Sequence, residues 1–323
     1  MPVVRRNIVS SLAARTSFVD GVLALKADFL GTTTSDVGIP GPAKRVSTYD
    51  LFIVWHHLAM ARLTPTEQGD RNSAHSGPVF LPWHRLMLLL FELQLQRVLG
   101  DPTVGLPYWD WAADGALPAA QQPKAPLWDA TKGVGGTGAP VADGPFRSAA
   151  FKVEIESDRS NRLRSTRRGL VRSLARDIAD LPSSAAVTAA LGQASYDGGP
   201  WDRSVGGTPG SAPGFRNSVE GWMPSGPGMH NRVHVWVGGD MGPATSPNDP
   251  VFYLNHGNVD RIWQAWLNKH GQAYAPPTNE SDRLKGHRLT DPLYSLLTKN
   301  PVRPADVLDV RGSYSYDSLP GTA

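Results

Sequence analysis

Nine histidines occur in this 323-residue chain, and seven of them fall in two tight groups. His56, His57, His75 and His84 form the first group, and His230, His234 and His256 form the second, with His270 and His287 apart. A lone histidine is usually a surface residue or a hydrogen-bonded core residue, so the grouping is what needs a chemical explanation. His230 and His234 are four residues apart, a spacing that puts both imidazoles on one helix face, one turn from each other. Two such rings can reach a single metal ion. In zinc peptidases the same spacing carries a glutamate directly after the first histidine as general base. Here Asn231-Arg232-Val233 fill the interval, so that hydrolytic chemistry lacks its base. The chain has no cysteine, which excludes disulfides, thiolate metal sites, iron–sulfur clusters and a cysteine nucleophile. Any metal must be held by nitrogen and oxygen.

The elements that would carry these histidines can be read from periodicity. Val19, Val22, Leu23, Leu25 and Phe29 recur at helical spacing within residues 8–30, which predicts a first helix. Ser47-Thr48-Tyr49-Asp50 opens a second helical segment that includes His56 and His57. Adjacent helical residues point about 100° apart, so only one of that pair faces a given metal, and spacing leaves open which. A polar loop over 64–77 carries His75. Pro82 then sits as a first-turn proline before an apolar helix, Trp83–Arg97, that includes His84. Further on, a helical stretch is expected around Met229–Val237. Asn248-Asp249-Pro250 should cap another helix running to about Asn268, with Asp249 as N-cap.

The expected fold class is therefore mainly α. A four-helix bundle core would hold two sets of three imidazoles, with long irregular loops over about 113–147 and 196–228. The arginine-dense segment Arg159–Asp177 reads as a solvated helix face rather than a phosphate-binding patch. All-imidazole ligation suits copper, zinc or iron. Two sites of equal type, without carboxylate or thiolate, favour a copper pair, while structural zinc, or no metal, is the alternative that spacing leaves open.

Composition is that of a globular chain with a real core: 40% of residues are hydrophobic and 19% charged. A formal charge of +3 gives no reason to expect nucleic acid or an anionic membrane as partner, and no apolar run reaches membrane-spanning length. The Arg5-Arg6 pair near the start lacks the long apolar stretch an export signal needs. The expectation is a single domain over 1–323, cytoplasmic or exported with a partner, and without a signal peptide of its own.

Around the histidines the sequence resembles the tyrosinase family of type-3 dinuclear copper proteins, most nearly its short bacterial members. The strings that carry the resemblance are Asp70-Arg71-Asn72-Ser73-Ala74-His75, Phe80-Leu81-Pro82-Trp83-His84-Arg85 and Leu106-Pro107-Tyr108-Trp109-Asp110-Trp111. In the second half they are His230-Asn231-Arg232-Val233-His234-Val235-Trp236 and Asn248-Asp249-Pro250-Val251-Phe252-Tyr253-Leu254-Asn255-His256. Val4-Arg5-Arg6-Asn7 and Tyr314-Ser315-Tyr316 are similar to the family's opening and closing motifs. The resemblance implies two copper ions, one held by His56, His75 and His84 and the other by His230, His234 and His256, with Trp55-His56 selecting His56 over His57. It implies an oxidase that uses O2 to convert o-diphenols or o-aminophenols to quinone-type products and that, in true tyrosinases, also hydroxylates monophenols. A hemocyanin-like O2 carrier is the alternative. A copper-delivery protein is a further expected partner.

Asn231 and Glu220 resemble the family's pair that positions a water able to take a phenol's proton; the competing reading of Glu220 is an exposed glutamate on a Gly/Pro-rich loop. The sequence also departs from the family. Asn255 stands where many relatives have a second histidine, and Asn255 and Ala244 are expected in the substrate pocket. No Cys–His thioether can form. The chain ends shortly after Tyr316, and no C-terminal domain shielding the site is expected. Asn255, Ala244 and a loop at Pro224–Gly228 that is longer than in close relatives together predict o-diphenols and o-aminophenols as better substrates than tyrosine.

Overall fold

The computed structural model describes residues 2–65, 71–204, 214–223 and 225–321. Parts of the expected loops over 64–77 and 196–228, together with Asp70 and Pro224, lie outside the described residues. A short strand β1 (Val3–Arg5) leads into α1 (Leu12–Ala27), α2 (Thr48–Ala61), α3 (Phe80–Leu99) and the one-turn α4 (Trp111–Asp114). A hairpin, β2 (Val153–Ser157) and β3 (Leu163–Arg168), is followed by α5 (Ser184–Leu191) and α6 (Phe215–Glu220). Then come the small hairpin β4 (Trp222–Met223) and β5 (Gly226–Pro227), α7 (Met229–Val237), α8 (Val251–His270) and β6 (Tyr314–Tyr316). Helices dominate, as the periodicity predicts, and α2, α3, α7 and α8 are the expected four. Among the described residues no helix is long and apolar enough to cross a membrane.

Local chemistry explains the boundaries. The Ser47 hydroxyl accepts the Asp50 N–H at 3.1 Å and starts α2. Gly100, at φ +65°, ends α3 in the left-handed conformation that glycine adopts without a Cβ clash. The α3 helix opens at Phe80, two residues before Pro82. The N-cap of α8 is Pro250 and not Asp249 as expected; Asp249, one residue earlier, still accepts the Val251 N–H at 3.0 Å, while its two oxygens take both arms of the buried Arg172 at 2.7 Å each. Seven tryptophans are fully buried in the core, among them Trp55, Trp83, Trp236 and Trp263. Tryptophan and tyrosine packing thus fills the interior.

Two expectations are corrected. The Arg159–Asp177 segment is not helical: it contributes β3, paired antiparallel to β2. On β2, Val153 and Ile155 are buried with Leu163 of β3 and alternate with Glu154 and Glu156, while Arg164 and Arg167 pair with Glu156 and Glu154 across a ladder whose register shifts between Val153 and Ile155. The solvated arginines are as expected; the backbone beneath them is not. The 196–228 region, expected to be irregular, holds α6 and the β4–β5 hairpin. Gly221 closes α6 at φ +95°, where a Cβ would sit 2.2 Å from the Gly228 carbonyl oxygen.

The two ends of the chain meet: β1 pairs in parallel with β6, Arg5 opposite Tyr316. The Arg5 side chain is fully buried, donating to Glu92 at 2.9 Å and Asp260 at 3.1 Å, with its guanidinium 3.5 Å above the Tyr314 ring. Asp260 also binds Arg85 and the hydroxyls of Tyr314 and Tyr316. This buried network ties the chain ends to α3 and α8, two helices of the site.

Candidate metal centre

Five of the six expected ligands stand on helices: His56 on α2, His84 on α3, His230 and His234 on α7 and His256 on α8. His75 alone lies in the irregular segment between α2 and α3. The ligand-capable nitrogens of His56, His75 and His84 lie within 4.8 Å of one another, and those of His230, His234 and His256 do the same. The triads face each other. The His84 and His256 rings stack across the boundary at 4.1 Å between centroids, and His75 and His230 lie 6.0 Å apart. His57, the neighbour of His56, is buried but stands outside both triads.

Burial pushes all six imidazoles below the ordinary histidine value, His56 to about 3 and His234 to about 4. At neutral pH every ring is uncharged and keeps a lone pair. Backbone carbonyls fix the tautomers. Nδ1–H of His56 donates to Ala244, that of His84 to Phe80 and that of His234 to Met241, each at 2.7 Å. The Nε2 atoms of these three rings are then buried without a hydrogen-bond partner among the described residues. A buried polar atom left unpaired costs about 1–3 kcal/mol, so several converging on one place fit a bound cation far better than a packed core. A neutral, all-nitrogen donor set of this kind suits copper.

Two phenylalanines wall the site. Phe252 packs 4.2 Å from His256 and 5.0 Å from His56, and Phe80 packs 4.8 Å from both His84 and His230. Sequence reasoning assigned neither a role. The available signal was spacing: each precedes a candidate ligand by four residues and so shares its helix face. Tyr294 was missed as well. Its carbonyl accepts the indole N–H of Trp55 at 3.1 Å and of Trp83 at 2.8 Å, the residues directly before His56 and His84.

A cavity of about 590 Å³ opens onto His56, His75, His230 and His234, bounded further by Asn231, Trp222, Met223 and Arg203. That size suits a small aromatic molecule. A larger surface cleft, about 870 Å³, runs along residues 62–65 and 291–301 and touches none of the triad histidines. Asn231 is on the inner cavity wall, its Oδ1 3.0 Å from His230 Nδ1. Glu220 is fully buried at the end of α6 and is not a surface glutamate. It lies behind the wall rather than on it, with Oε1 accepting the Ser76 N–H at 2.6 Å and Oε2 accepting from Arg216 at 2.9 Å. Asn255 is fully buried beside His256, its amide atoms without a partner among the described residues and away from the cavity wall. Ala244 contributes its carbonyl to His56, while Gly242, Pro243 and Ser246 around it form the wall.

Residues 46–269 match the family described as the common central domain of tyrosinase. The chain is 39% identical over 282 residues to a tyrosinase of Streptomyces glaucescens, covering 85% of this chain and 90% of the relative. It is 37% identical over 295 residues to a grixazone synthase of Streptomyces griseus subsp. griseus, covering 85% and 91%. A polyphenol oxidase from Thermothelomyces thermophila shares the fold, with a TM-score of 0.71 at 22% identity over 98% of this chain and 89% of that one. With two imidazole triads facing one cavity and relatives aligned over most of its length, the chain belongs to the tyrosinase family of type-3 dinuclear copper oxidoreductases.

Proposed function

We propose that this enzyme oxidises o-diphenols and o-aminophenols to quinone-type products, with His56, His75 and His84 holding one copper ion and His230, His234 and His256 the other. The observation that carries the reading is the pair of buried, uncharged triads facing a single solvent-connected cavity. The copper pair supplies the binding and reduction of O2. Two diphenols give up two electrons and two protons each as one O2 becomes two waters. The protein fixes the tautomers of His56, His84 and His234 through backbone carbonyls, and Phe80 and Phe252, which do not line the cavity, pack against the imidazoles. A cavity large enough for an aromatic ring favours turnover over O2 carriage.

For monophenols the phenolic proton must leave before the oxygen becomes a good ligand. Asn231 Oδ1 on the cavity wall and the Glu220 carboxylate behind it are the proposed pair that positions a water able to take that proton. Burial pushes the Glu220 carboxyl upward, against the opposing pull of Arg216 and the Ser76 N–H, which makes it a stronger proton acceptor than an exposed glutamate. Both Glu220 oxygens are already hydrogen-bonded, which supports o-diphenols and o-aminophenols, needing no such help, as the better substrates.

The test is oxygen uptake by copper-reconstituted protein with o-aminophenol, catechol and tyrosine, against a no-substrate control and the His84→Ala variant. Uptake with the first two that disappears in the variant is the expected result. A higher rate on tyrosine than on o-aminophenol overturns the substrate assignment. No uptake with any substrate at two bound coppers overturns the oxidase reading in favour of O2 carriage.

A further inference from the structure

We infer that Glu220 is a positioning residue for His75, holding the one ligand that no helix carries; the inference rests on the copper reading above. The His75 backbone is gripped from two sides. Its own N–H donates to Asn72 Oδ1 at 2.7 Å, and the next N–H, that of Ser76, donates to Glu220 Oε1 at 2.6 Å. Ser76 has φ +62°, in the left-handed region that a residue with a side chain rarely occupies. A backbone held there directly beside a ligand persists only where its surroundings over-determine it. The carboxylate supplies that constraint, since a charged acceptor makes one of the stronger hydrogen bonds available to a backbone N–H.

Glu220 lies 144 residues from Ser76, at the end of α6, just before the β4–β5 hairpin and the α7 histidines. It is itself held. Arg216, one turn earlier on α6, donates to Glu220 Oε2 at 2.9 Å and is fixed through two nitrogens by Asp197 at 2.7 and 2.9 Å. Asp197, Arg216 and Glu220 are all buried, so the chain Asp197–Arg216–Glu220–Ser76 is a rigid polar strut. It runs from α6, which packs against α7, to the residue directly after His75. Without Glu220, Ser76 relaxes toward an ordinary φ and His75 turns away from His56 and His84. Glycine at position 76 occupies the left-handed region at no steric cost, so it lessens the need for the carboxylate.

Copper retention reads this directly. Wild type, Glu220→Gln, Glu220→Ala and Glu220→Ala/Ser76→Gly are loaded with copper and challenged with a chelator. Release of each ion is followed by copper analysis and by the EPR signal of an isolated Cu(II). Glu220→Ala is expected to release one of its two ions about a hundredfold faster than wild type, leaving isolated Cu(II), and Glu220→Gln about tenfold faster. Adding Ser76→Gly to Glu220→Ala brings the rate back to within about tenfold of wild type. In the metal-free protein, amide exchange at Ser76 accelerates in both Glu220 variants. Should Glu220→Ala not fold, the Gln variant and its amide exchange carry the test. Wild-type release rates in the variants, equal acceleration of both ions, or no recovery with Ser76→Gly overturn the inference. A wild-type protein that never binds two coppers overturns the copper reading instead.

Discussion

The two halves of the metal centre are built differently. In the second half all three ligands stand on helices, with His230 and His234 one turn apart on α7 and His256 on α8. Helix geometry alone sets most of their mutual position, and the buried Arg172–Asp249 pair at the start of α8 fixes that helix in the frame. In the first half, α2 and α3 supply His56 and His84, but His75 comes from an irregular segment. That half depends on side chains and carbonyls from distant parts of the chain: Asn72, Glu220, and the Tyr294 carbonyl that takes both Trp55 and Trp83. A ligand on a helix is positioned by hydrogen bonds that exist anyway, whereas a ligand on a loop needs dedicated partners. The first copper site is therefore the more sensitive to changes away from its ligands.

The largest effect expected is loss of a ligand from either half. His84→Ala and His234→Ala should each lower oxygen uptake with catechol by more than about 100-fold, beyond the 10–100-fold typical of residues that only orient a ligand. Each should retain one copper, in the opposite half. Retention of both ions at full uptake in either variant would break the assignment of two triads.

Next is Asn72→Ala. It removes the acceptor for the His75 N–H and for the Ala74 N–H at 3.0 Å, with no counterpart in the helical half. Stability should fall by about 1–3 kcal/mol, and one copper should be released on the order of tenfold faster. Denaturant unfolding and chelator challenge measure the two. If both ions are released equally fast, the contrast between loop and helix ligands is wrong.

The helical half was the more legible in the sequence, and for the same reason. His230 and His234 announce themselves by four-residue spacing, and α8 by its Asn-Asp-Pro start, because a helix writes its geometry into short intervals. His75 was legible only as a histidine near others; nothing local shows that Ser76 is left-handed or that Glu220 reaches it, since that contact is set by the packing of α6 against the bundle. The arginine-dense hairpin misled because residue type drew attention away from the alternation of Val153 and Ile155 with Glu154 and Glu156. At six residues α6 is too short to show a period. Phe80 and Phe252 were visible in quoted strings, but an aromatic four residues before a ligand is indistinguishable from ordinary core until the rings are seen against the imidazoles.

Acid should not separate the halves. All six imidazoles have folded pKa values pushed below the unfolded value of about 6.5, His56 to about 3 and His234 to about 4. Between those values the unfolded chain binds more protons, so stability rises with pH there. The metal-free protein is then fully stable above about pH 6.5 and loses stability progressively as the pH falls toward 4. His287, also held down to about 3 by burial, adds to the slope from outside the site. Melting temperature against pH measures this, and the His287→Asn variant should show a shallower acid decline. A metal-free protein whose melting point does not move between pH 7 and 4.5 would mean the rings are not buried as uncharged groups.

The smallest effect is expected from the outer arginines of the β2–β3 hairpin, which touches both halves. Ile155 packs with Val54 of α2, and the Ile155 carbonyl accepts from Asn248 just before α8 at 2.8 Å. The hairpin's contribution to the frame thus runs through Ile155 and not through its arginines. Arg164 and Arg167 pair with Glu156 and Glu154 on the outer face, with 60% and 72% of their side-chain surface exposed. Pairs so exposed are screened by solvent and are worth roughly 0–1 kcal/mol. Arg164→Ala and Arg167→Ala should therefore shift unfolding by no more than about 1 kcal/mol and leave copper release unchanged in both halves. Truncating Ile155 to alanine, by contrast, should cost about 2–5 kcal/mol. If the arginine variants lose as much as the Ile155 variant, the outer charges belong to the frame of the site, and the first half depends on still more distant partners than the loop contacts alone.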